Sequence, residues 1–291
     1  MIKFSILIVT RNRVKDLDVT LKTLEKTISG KDVEILVLSD GCLKTKDLLN
    51  TCYPLLKSFY LEKSIGASSA RNFLYKRAKG SYLIGLDDDA NFITDDYFIK
   101  IEDIFKNDKI GVIAFEEIKD LELGKNLKLN SESFYTNEFI GCGFCIRKKV
   151  YDQTRGFPTW MDIYGEEACV AIDVLDKGYE IFYTDAIVVH HRVDKSKRKS
   201  NNYDTFRFKK SLLNGNKYYL VYYPLLMLPK ALTKIFIHNF RKYAVRDVHF
   251  FSGFFKSYIN LIKDLIKVLK YRKPVSNSTI KLKQTLKPLR Y

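Results

Sequence analysis

The stretch Tyr82-Leu83-Ile84-Gly85-Leu86-Asp87-Asp88-Asp89 joins a short apolar run to three consecutive aspartates. The apolar run predicts a buried strand of a parallel sheet, because such strands are covered on both faces. Ligands of open α/β sheets bind just beyond the carboxyl ends of the strands. Three carboxylates at that edge repel one another unless a cation compensates their charge, and oxygen ligands suit Mg²⁺ or Mn²⁺. A solvated acidic turn is the alternative, and the stretch alone does not decide between the two.

Strand and helix patterns alternate on both sides of this stretch and predict an α/β fold with a doubly wound, mostly parallel sheet. The helical pattern is clear where leucines recur on one face of a segment. The predicted strands are Phe4–Val9, Val33–Leu38, Ser58–Leu61, Tyr82–Leu86, Ile110–Phe115, Phe139–Ile146 and Tyr179–Val189. The predicted helices are Asp16–Ile28, Ser68–Ala78, Asp95–Phe105 and Glu166–Lys177.

Charge is distributed unevenly along the 291 residues. Residues 1–191 have a net charge of −4, whereas residues 192–291 contain 24 Lys and Arg against four acidic residues. Such asymmetry indicates a polyanionic partner, either a membrane surface or nucleic acid. The apolar run at the N-terminus is too short for a signal peptide, since it leads directly into Thr10-Arg11-Asn12-Arg13. The five cysteines are scattered and odd in number, which favours free thiols in a cytoplasmic protein.

The basic C-terminal region contains an amphipathic helical pattern over residues 250–272. Wound as a helix, it has lysines on one narrow face and aromatic and aliphatic residues on the opposite arc. Such a helix is typical of the interface of an anionic membrane. The alternative is a helix that packs on the rest of the protein and has a solvated lysine face. A nucleic-acid-binding protein is a more distant hypothesis, because the tail lacks a recognised reading module.

Several motifs, taken together, resemble those of the family 2 glycosyltransferases, enzymes with a GT-A fold that use a nucleotide-sugar donor. The motifs are Ser5–Arg13, Val33–Gly41, Gly66–Asn72, Leu86–Asp89, Gly165–Glu167 and His190. Their order along residues 3–190 is more specific than any single motif. The resemblance implies a GT-A catalytic domain over residues 1–192, with a donor half 1–90 and an acceptor half 91–192. A connector, 193–204, and a basic helical region, 205–291, are expected to follow.

The resemblance assigns the donor side to residues that follow the first strands. Thr10 and Arg11 end the first strand, where backbone and guanidinium groups can meet a nucleotide and its phosphate. Asp40 is expected to accept hydrogen bonds from the base or ribose, although a plain turn also explains Asp40-Gly41. Arg71 follows small residues at a helix start and is expected to bind phosphate, with an ordinary surface arginine as the alternative.

The resemblance also implies a metal cofactor, Mn²⁺ or Mg²⁺. Asp87 and Asp88 are expected to contact the donor, and Asp89, together with Asp87, is expected to reach the metal that bridges the diphosphate. Some relatives use a histidine as a third ligand, and His190 is the candidate because imidazole suits Mn²⁺. Its neighbour His191 stays open as the ligand, and a packing role for His190 is the other alternative.

The acceptor half is expected to supply the catalytic base. Relatives usually have Gly-Glu-Asp where this chain has Gly165-Glu166-Glu167, so Glu167 falls at the position of the catalytic aspartate. A carboxylate there takes the proton of the acceptor hydroxyl, and Glu166 remains the alternative. Trp160 and Gly141 are expected at the acceptor site, where an aromatic ring can stack on a sugar; for Trp160, a core anchor is the alternative.

These expectations describe an inverting enzyme at the inner face of the cell membrane that acts in cell-surface polysaccharide biosynthesis. Its expected partners are a nucleotide-sugar donor, a saccharide or lipid-linked saccharide acceptor, and an anionic membrane surface, without nucleic acid. The alternative acceptors are a polyprenyl phosphate and a teichoic-acid-type polymer. The chain lacks Gln-x-x-Arg-Trp, the mark of processive synthases, so one sugar is expected per encounter.

Overall fold

The computed structural model describes residues 2–28, 30–119, 132–193 and 201–289. Its strands are β1 Phe4–Thr10, β2 Val33–Asp40, β3 Lys57–Leu61, β4 Tyr82–Leu86, β5 Ala90–Phe92, β6 Ile110–Ile118, β7 Ser133–Thr136, β8 Gly143–Arg147 and β9 Glu180–His191. Its helices are α1 Val14–Ile28, α2 Leu43–Cys52, α3 Ala67–Tyr75, α4 Tyr97–Ile104, α5 Lys148–Tyr151, α6 Glu166–Asp176, α7 Asn201–Tyr222, α8 Leu228–Lys242, α9 Val248–Leu269 and α10 Asn277–Thr285. A short 3₁₀ helix, Ala244–Arg246, precedes α9.

The strands form one mixed sheet in the order β3-β2-β1-β4-β8-β6-β9-β5, and β7 also pairs with β9. The first four strands are parallel, whereas β8 runs antiparallel between β4 and β6. The carboxyl ends of β1, β2 and β4 therefore lie at one edge of the sheet. This edge receives the residues that follow each strand, which include Asp87–Asp89.

Apolar side chains cover both faces of the sheet and hold the edge in place. On one face Leu17, Leu21 and Leu24 of α1 are buried with apolar residues of the strands. On the other face Leu74 of α3 and Val170 of α6 are buried in a second core. Burial of one such side chain stabilises the fold by about 1.5–3 kcal/mol. The helices that carry the site are therefore fixed to the sheet.

Some elements differ from the sequence predictions. The strand predicted over Phe139–Ile146 begins only at Gly143, so residues 139–142 approach the sheet edge as a loop. Helix α2 is not predicted from the sequence. Its buried residues are Thr45 and Leu49, and one apolar residue among them is too few to give a clear helical repeat of apolar side chains. Strands β5 and β7 are three and four residues long. Their strand conformation depends on pairing with β9, which is distant in the sequence.

Strand β9 changes register against β6 part-way along its length. Phe115 pairs with Thr184, but the next residue, Glu116, pairs with Val188. Strand β9 therefore contains three more residues than β6 at this point. Successive side chains of a strand point to opposite faces, so an odd number of extra residues reverses the faces on which the later side chains of β9 lie, compared with an unbroken register. As a result His191, rather than His190, shares the face of the sheet that carries Glu117.

The C-terminal helices pack against the acceptor half and against one another. The predicted helix 250–272 is α9, and α10 returns the chain to the sheet, where Leu289 enters the second core. The predicted connector 193–204 lies partly outside the described residues, and α7 begins within it. Among the described helices, none is long and apolar enough to cross a membrane.

Candidate active site

Two of the three aspartates after β4 are compensated by an arginine. Arg13, just before α1, donates from Nη1 to Asp88 Oδ1 at 3.1 Å and also to Asp89 Oδ2. Burial raises the pKa of Asp88 to about 7, although the charge of Arg13 opposes the rise. Arg13 was not assigned a role from the sequence. Its position in the Thr10-Arg11-Asn12-Arg13 segment, directly after the first strand, is the sequence feature that could have indicated a place at the site.

A second group of side chains at this edge has the chemistry of a metal site. Asp87, Asp89 and His191 each offer one ligand atom, and these atoms lie within 4.8 Å of one another. Asp89 Oδ1 is buried and accepts no hydrogen bond from a described residue, although His191 Nε2 lies 3.1 Å away. Two carboxylate oxygens and an imidazole nitrogen suit Mn²⁺ well and Mg²⁺ less well. The residues therefore fit a divalent cation.

The histidine in this cluster is His191 and not the expected His190. The register shift in β9 is the reason, since it gives His191 the face that His190 would occupy in an unbroken register. His191 also has a second partner, because its Nδ1 lies 2.5 Å from Glu117 Oε1. Burial lowers the pKa of His191, but Asp89 and Glu117 outweigh burial and raise it to about 9.

The glutamates of the predicted base motif are the first two residues of α6, after Gly165 in the left-handed conformation. Glu166 is buried, and burial together with the charge of Glu167 raises its pKa to about 7. The Glu167 side chain is 19% exposed, against 7% for Glu166. Glu167 is therefore the more accessible of the two carboxylates.

Arg71 of α3 joins the aspartates to the glutamates. Its Nη1 donates to Glu167 Oε1 at 2.9 Å and to Glu166 Oε1 at 3.3 Å, while Nη2 donates to Asp87 Oδ1 at 3.4 Å. Burial lowers the pKa of Arg71, but the charges of the three carboxylates outweigh this and raise it. The sequence predicts a phosphate contact for Arg71. In this structure its guanidinium group links the two acidic groups of the site.

Gly141 lies directly against the Arg71–Glu167 ion pair. A Cβ at this position would lie 2.1 Å from Glu167 Oε1 and 3.0 Å from Arg71 Nη2. Any side chain would therefore displace the carboxylate. The predicted acceptor residue Gly141 is thus adjacent to the predicted base.

The remaining donor residues lie at the carboxyl ends of β1 and β2. Thr10 is buried, and Arg11, the next residue, is exposed. Asp40 is buried and accepts from Ser64 Oγ at 2.6 Å and from the backbone N–H groups of Ile65 and Gly66 at 2.8 and 3.1 Å. Asp40 therefore holds the loop that leads into α3, the helix of Arg71.

Trp160 packs between the loop before α6 and the C-terminal helices. Its ring centroid lies 6.4 Å from that of Tyr222 in α7 and 6.3 Å from that of Tyr271. These contacts match the alternative role, that of a core anchor. Trp160 packs in the same apolar cluster as Met161, which connects the loop before α6 to the C-terminal helices.

Comparisons with known proteins identify the family and the fold of this chain. An uncharacterized protein of Haemophilus influenzae is 29% identical over 172 residues, which are 53% of this chain and 92% of that protein. The mannosyltransferase PcManGT from Pyrobaculum calidifontis, in complex with GDP-Man and Mn²⁺, aligns with a TM-score of 0.63 at 14% identity. That alignment covers 97% of this chain and 83% of PcManGT.

A second solved structure, S. aureus TarS 1–349 in complex with UDP-GlcNAc, aligns with a TM-score of 0.60 at 15% identity. The alignment covers 92% of this chain and 81% of that structure. At such identities the likeness shows the fold, and it confirms the predicted GT-A architecture. The family model described as glycosyl transferase family 2 matches residues 5–154, about half of the chain. This chain belongs to glycosyl transferase family 2, and it is a glycosyltransferase.

Proposed function

We propose that this enzyme transfers a sugar from a nucleoside-diphosphate-sugar donor to a hydroxyl group of a saccharide or lipid-linked saccharide, with inversion at the anomeric carbon. One observation carries the proposal: Arg71 joins the candidate metal ligands after β4 to the paired glutamates of α6. An electrophile bound at the aspartates would therefore lie beside a carboxylate that can act as a base. The complexes of PcManGT with GDP-Man and of TarS with UDP-GlcNAc support a donor of this class.

Asp87, Asp89 and His191 are the residues that would hold Mn²⁺ or Mg²⁺ in this proposal. A bound ion would neutralise the charge that develops on the leaving nucleoside diphosphate. The PcManGT complex contains Mn²⁺, which supports a divalent cofactor. Arg13 contacts Asp89 and Arg71 contacts Asp87. The guanidinium groups of both arginines can also donate to phosphate oxygens.

Glu167 is the proposed general base. The acceptor oxygen attacks the anomeric carbon as its proton passes to Glu167, and the bond from that carbon to the diphosphate oxygen breaks. The electron pair of that bond leaves with the nucleoside diphosphate. Arg71 orients the Glu167 carboxylate, and Gly141 leaves the space that this carboxylate occupies. Glu166 is more buried and is less open to an acceptor.

We also propose that the C-terminal helices bind the surface of an anionic membrane, where a lipid-linked acceptor would be available. Apolar side chains are exposed in α8, in α9 and in the segment before α8, and exposed patches of this kind mark interaction sites. They include Leu225, Leu226, Phe236, Ile237, Phe251, Phe255, Ile259, Ile262, Ile266 and Leu269. A cavity of about 380 Å³, lined by residues such as Leu220, Phe236 and Leu265, opens between α7, α8 and α9.

The charges around this apolar surface favour anionic lipid over a neutral partner. The exposed cations of α8 and α9, with the residue after α9, are Lys230, Lys234, Arg241, Lys242, Lys256, Lys263, Lys267 and Lys270. Two acidic residues lie in or next to α9, and both have partners within the protein. Asp264 forms an ion pair with Lys217 at 2.7 Å, and Asp247 accepts hydrogen bonds as the N-cap of α9. Basic segments are attracted to the anionic cytoplasmic leaflet, so the proposal includes the inner face of the cell membrane and a role in cell-surface polysaccharide synthesis.

A donor screen tests the proposed chemistry. Purified enzyme is incubated with different nucleoside-diphosphate-sugars and with Mn²⁺, Mg²⁺ or excess chelator, and release of the nucleoside diphosphate is measured. We expect release with at least one donor, its loss in chelator, and its loss in Asp89→Ala. Asp95→Ala, which changes an exposed aspartate outside the cluster, is the matched control and should keep activity. Full turnover in chelator would contradict the metal proposal, and no release from any donor would contradict the donor class.

A further inference from the structure

We propose that Glu117 is a positioning residue for His191, and that it fixes the imidazole ring with Nε2 directed at Asp87 and Asp89. Glu117 does not belong to any of the motifs that indicate the family. The inference rests on the proposed function, since it concerns the cation that Asp87, Asp89 and His191 would hold. It adds a residue of β6 to the support of that site.

The two ring nitrogens of His191 face different carboxylates. Nδ1 lies 2.5 Å from Glu117 Oε1, and Nε2 lies 3.1 Å from Asp89 Oδ1. A histidine that binds a metal through one nitrogen usually donates the N–H of the other nitrogen to a carboxylate or carbonyl oxygen. That hydrogen bond fixes both the tautomer and the orientation of the ring. Glu117 stands where this role requires a carboxylate.

Glu117 is itself held on two sides. Its second carboxylate oxygen, Oε2, lies 3.0 Å from Lys119 Nζ, and its side chain is 7% exposed. Glu117 pairs with Val189 in the register that follows the shift in β9, so it shares a face with His191. Both residues therefore lie on paired strands of the central sheet. A supporting group on a rigid element holds a ligand more accurately than one on a loop.

A direct ligand role for Glu117 is the competing explanation, because Glu117, Cys142 and His191 also have ligand atoms within 4.8 Å of one another. Both carboxylate oxygens of Glu117 already have cationic or N–H partners, His191 and Lys119. Asp89 Oδ1, in contrast, is buried and, apart from its 3.1 Å ion pair with His191 Nε2, has no hydrogen bond from the described residues. The carboxylate oxygen with spare acceptor capacity thus lies on the Nε2 side of the ring, and this difference favours a positioning role for Glu117.

Binding of Mn²⁺ to the purified protein tests the inference without an activity assay. The free Mn²⁺ signal is followed by electron paramagnetic resonance for wild type, Glu117→Gln and Glu116→Gln. Glu116 is the matched control, since its carboxylate accepts from Tyr183 Oη at 2.5 Å on the opposite face of the same strand. We expect Glu117→Gln to weaken Mn²⁺ binding roughly 10- to 100-fold and Glu116→Gln to change it less than about twofold. Cys142→Ala should bind Mn²⁺ as tightly as wild type. If Cys142→Ala weakens Mn²⁺ binding as much as Glu117→Gln does, Glu117, Cys142 and His191 are direct ligands and the positioning role is wrong.

A second measurement does not need the metal. Imidazole ¹H–¹⁵N spectra of the metal-free protein should show a protected Nδ1–H of His191, assigned by its loss in His191→Gln. This resonance should disappear in Glu117→Ala, which removes the acceptor, and persist in Glu116→Gln. If wild type binds no Mn²⁺, the metal proposal fails while the ring spectra still test the Glu117 contact. Equal Mn²⁺ affinity of wild type and Glu117→Gln, or equal losses in Glu117→Gln and Glu116→Gln, would overturn the inference.

Discussion

Glu166 and Glu167 are adjacent in the chain and share Arg71, yet their surroundings differ. Glu166 is buried, its Oε2 has no hydrogen bond from the described residues, and its pKa is raised to about 7. Glu167 is more exposed and lies 2.9 Å from Arg71 Nη1. Paired carboxylates in unlike environments commonly have unlike roles. The accessible member, Glu167, is the better candidate for contact with an acceptor.

At the residue scale we predict that Glu167→Gln slows the chemical step by roughly 10²- to 10⁴-fold, because the amide keeps the shape and cannot accept the proton. Donor affinity should barely change, since the base faces the acceptor. Single-turnover kinetics and a donor-binding titration measure the two effects separately. Glu166→Gln is the matched comparison and should show the smaller loss. A large loss in Glu166→Gln beside an active Glu167→Gln would reverse the two roles.

At the element scale, helix α7 supports the loop that precedes the glutamates. Tyr164 has φ 70° and Gly165 has φ 101°, so the chain enters α6 through two left-handed residues. For a bulky residue such as Tyr164 this conformation costs on the order of 1–2 kcal/mol. Asn214 of α7 donates from Nδ2 to the carbonyl oxygens of Ile163 and Tyr164 at 2.7 and 2.9 Å. These hydrogen bonds help to hold the loop in its strained form.

We therefore predict that Asn214→Ala lowers kcat about tenfold, because a looser loop misplaces the start of α6. The loss of both hydrogen bonds should also lower the free energy of unfolding by about 1–3 kcal/mol. Asn216→Ala is the matched control, since Asn216 is buried two residues away and donates to Leu212 O within α7 at 2.8 Å. Steady-state kinetics and urea unfolding of both variants provide the measurements. Equal loss of kcat in the two variants would mean that α7 acts through general stability alone.

At the scale of the whole molecule, α8 and α9 both carry exposed apolar and exposed basic side chains. Phe254 and Ser257 of α9 are buried, while Phe251, Phe255 and Ile262 are exposed. Helix α9 therefore packs on its neighbours and still presents apolar side chains outward. The two sequence hypotheses for this helix, packing and membrane contact, are thus compatible in one structure. A further test must separate attraction by charge from burial of apolar side chains.

We predict that reversing Lys256, Lys263, Lys267 and Lys270 to Glu releases the protein from anionic vesicles. Each lysine near the surface should contribute about 1 kcal/mol, and salt should weaken the attraction because screening acts over about 10 Å at 0.1 M. Cosedimentation with vesicles measures binding. Hydrolysis of the donor by water should survive. The control variant reverses four exposed lysines outside the C-terminal region, Lys26, Lys76, Lys79 and Lys177. It has the same net charge as the first variant and should still bind the vesicles. If the first variant sediments with anionic vesicles as fully as wild type, these four lysines do not contribute to membrane binding.

The features that depend on local pattern could be predicted from the amino-acid sequence. The alternation of strands and helices predicted the α/β sheet, and the apolar run before Asp87 placed the aspartates at the end of a strand, as β4 has them. Glu166 and Glu167 were predicted in the first turn of a helix, and they begin α6. Motif order predicted the glycosyltransferase family, which the comparisons confirm. Each strand, helix and motif extends over a few neighbouring residues, so local pattern is enough to predict it, and the order of the motifs follows directly from their positions in the chain.

Which of these residues contact one another depends on how distant segments of the chain pack together. Arg71 contacts Glu167, 96 positions away, and Arg13 contacts Asp89, 76 positions away. His191 rather than His190 faces Asp89, because β9 shifts by three residues against β6 after Phe115. The same shift brings Glu117 to the other ring nitrogen. Register between strands depends on the pairing of distant segments, and an odd shift reverses which side chains face the site, so periodicity within one segment cannot predict it.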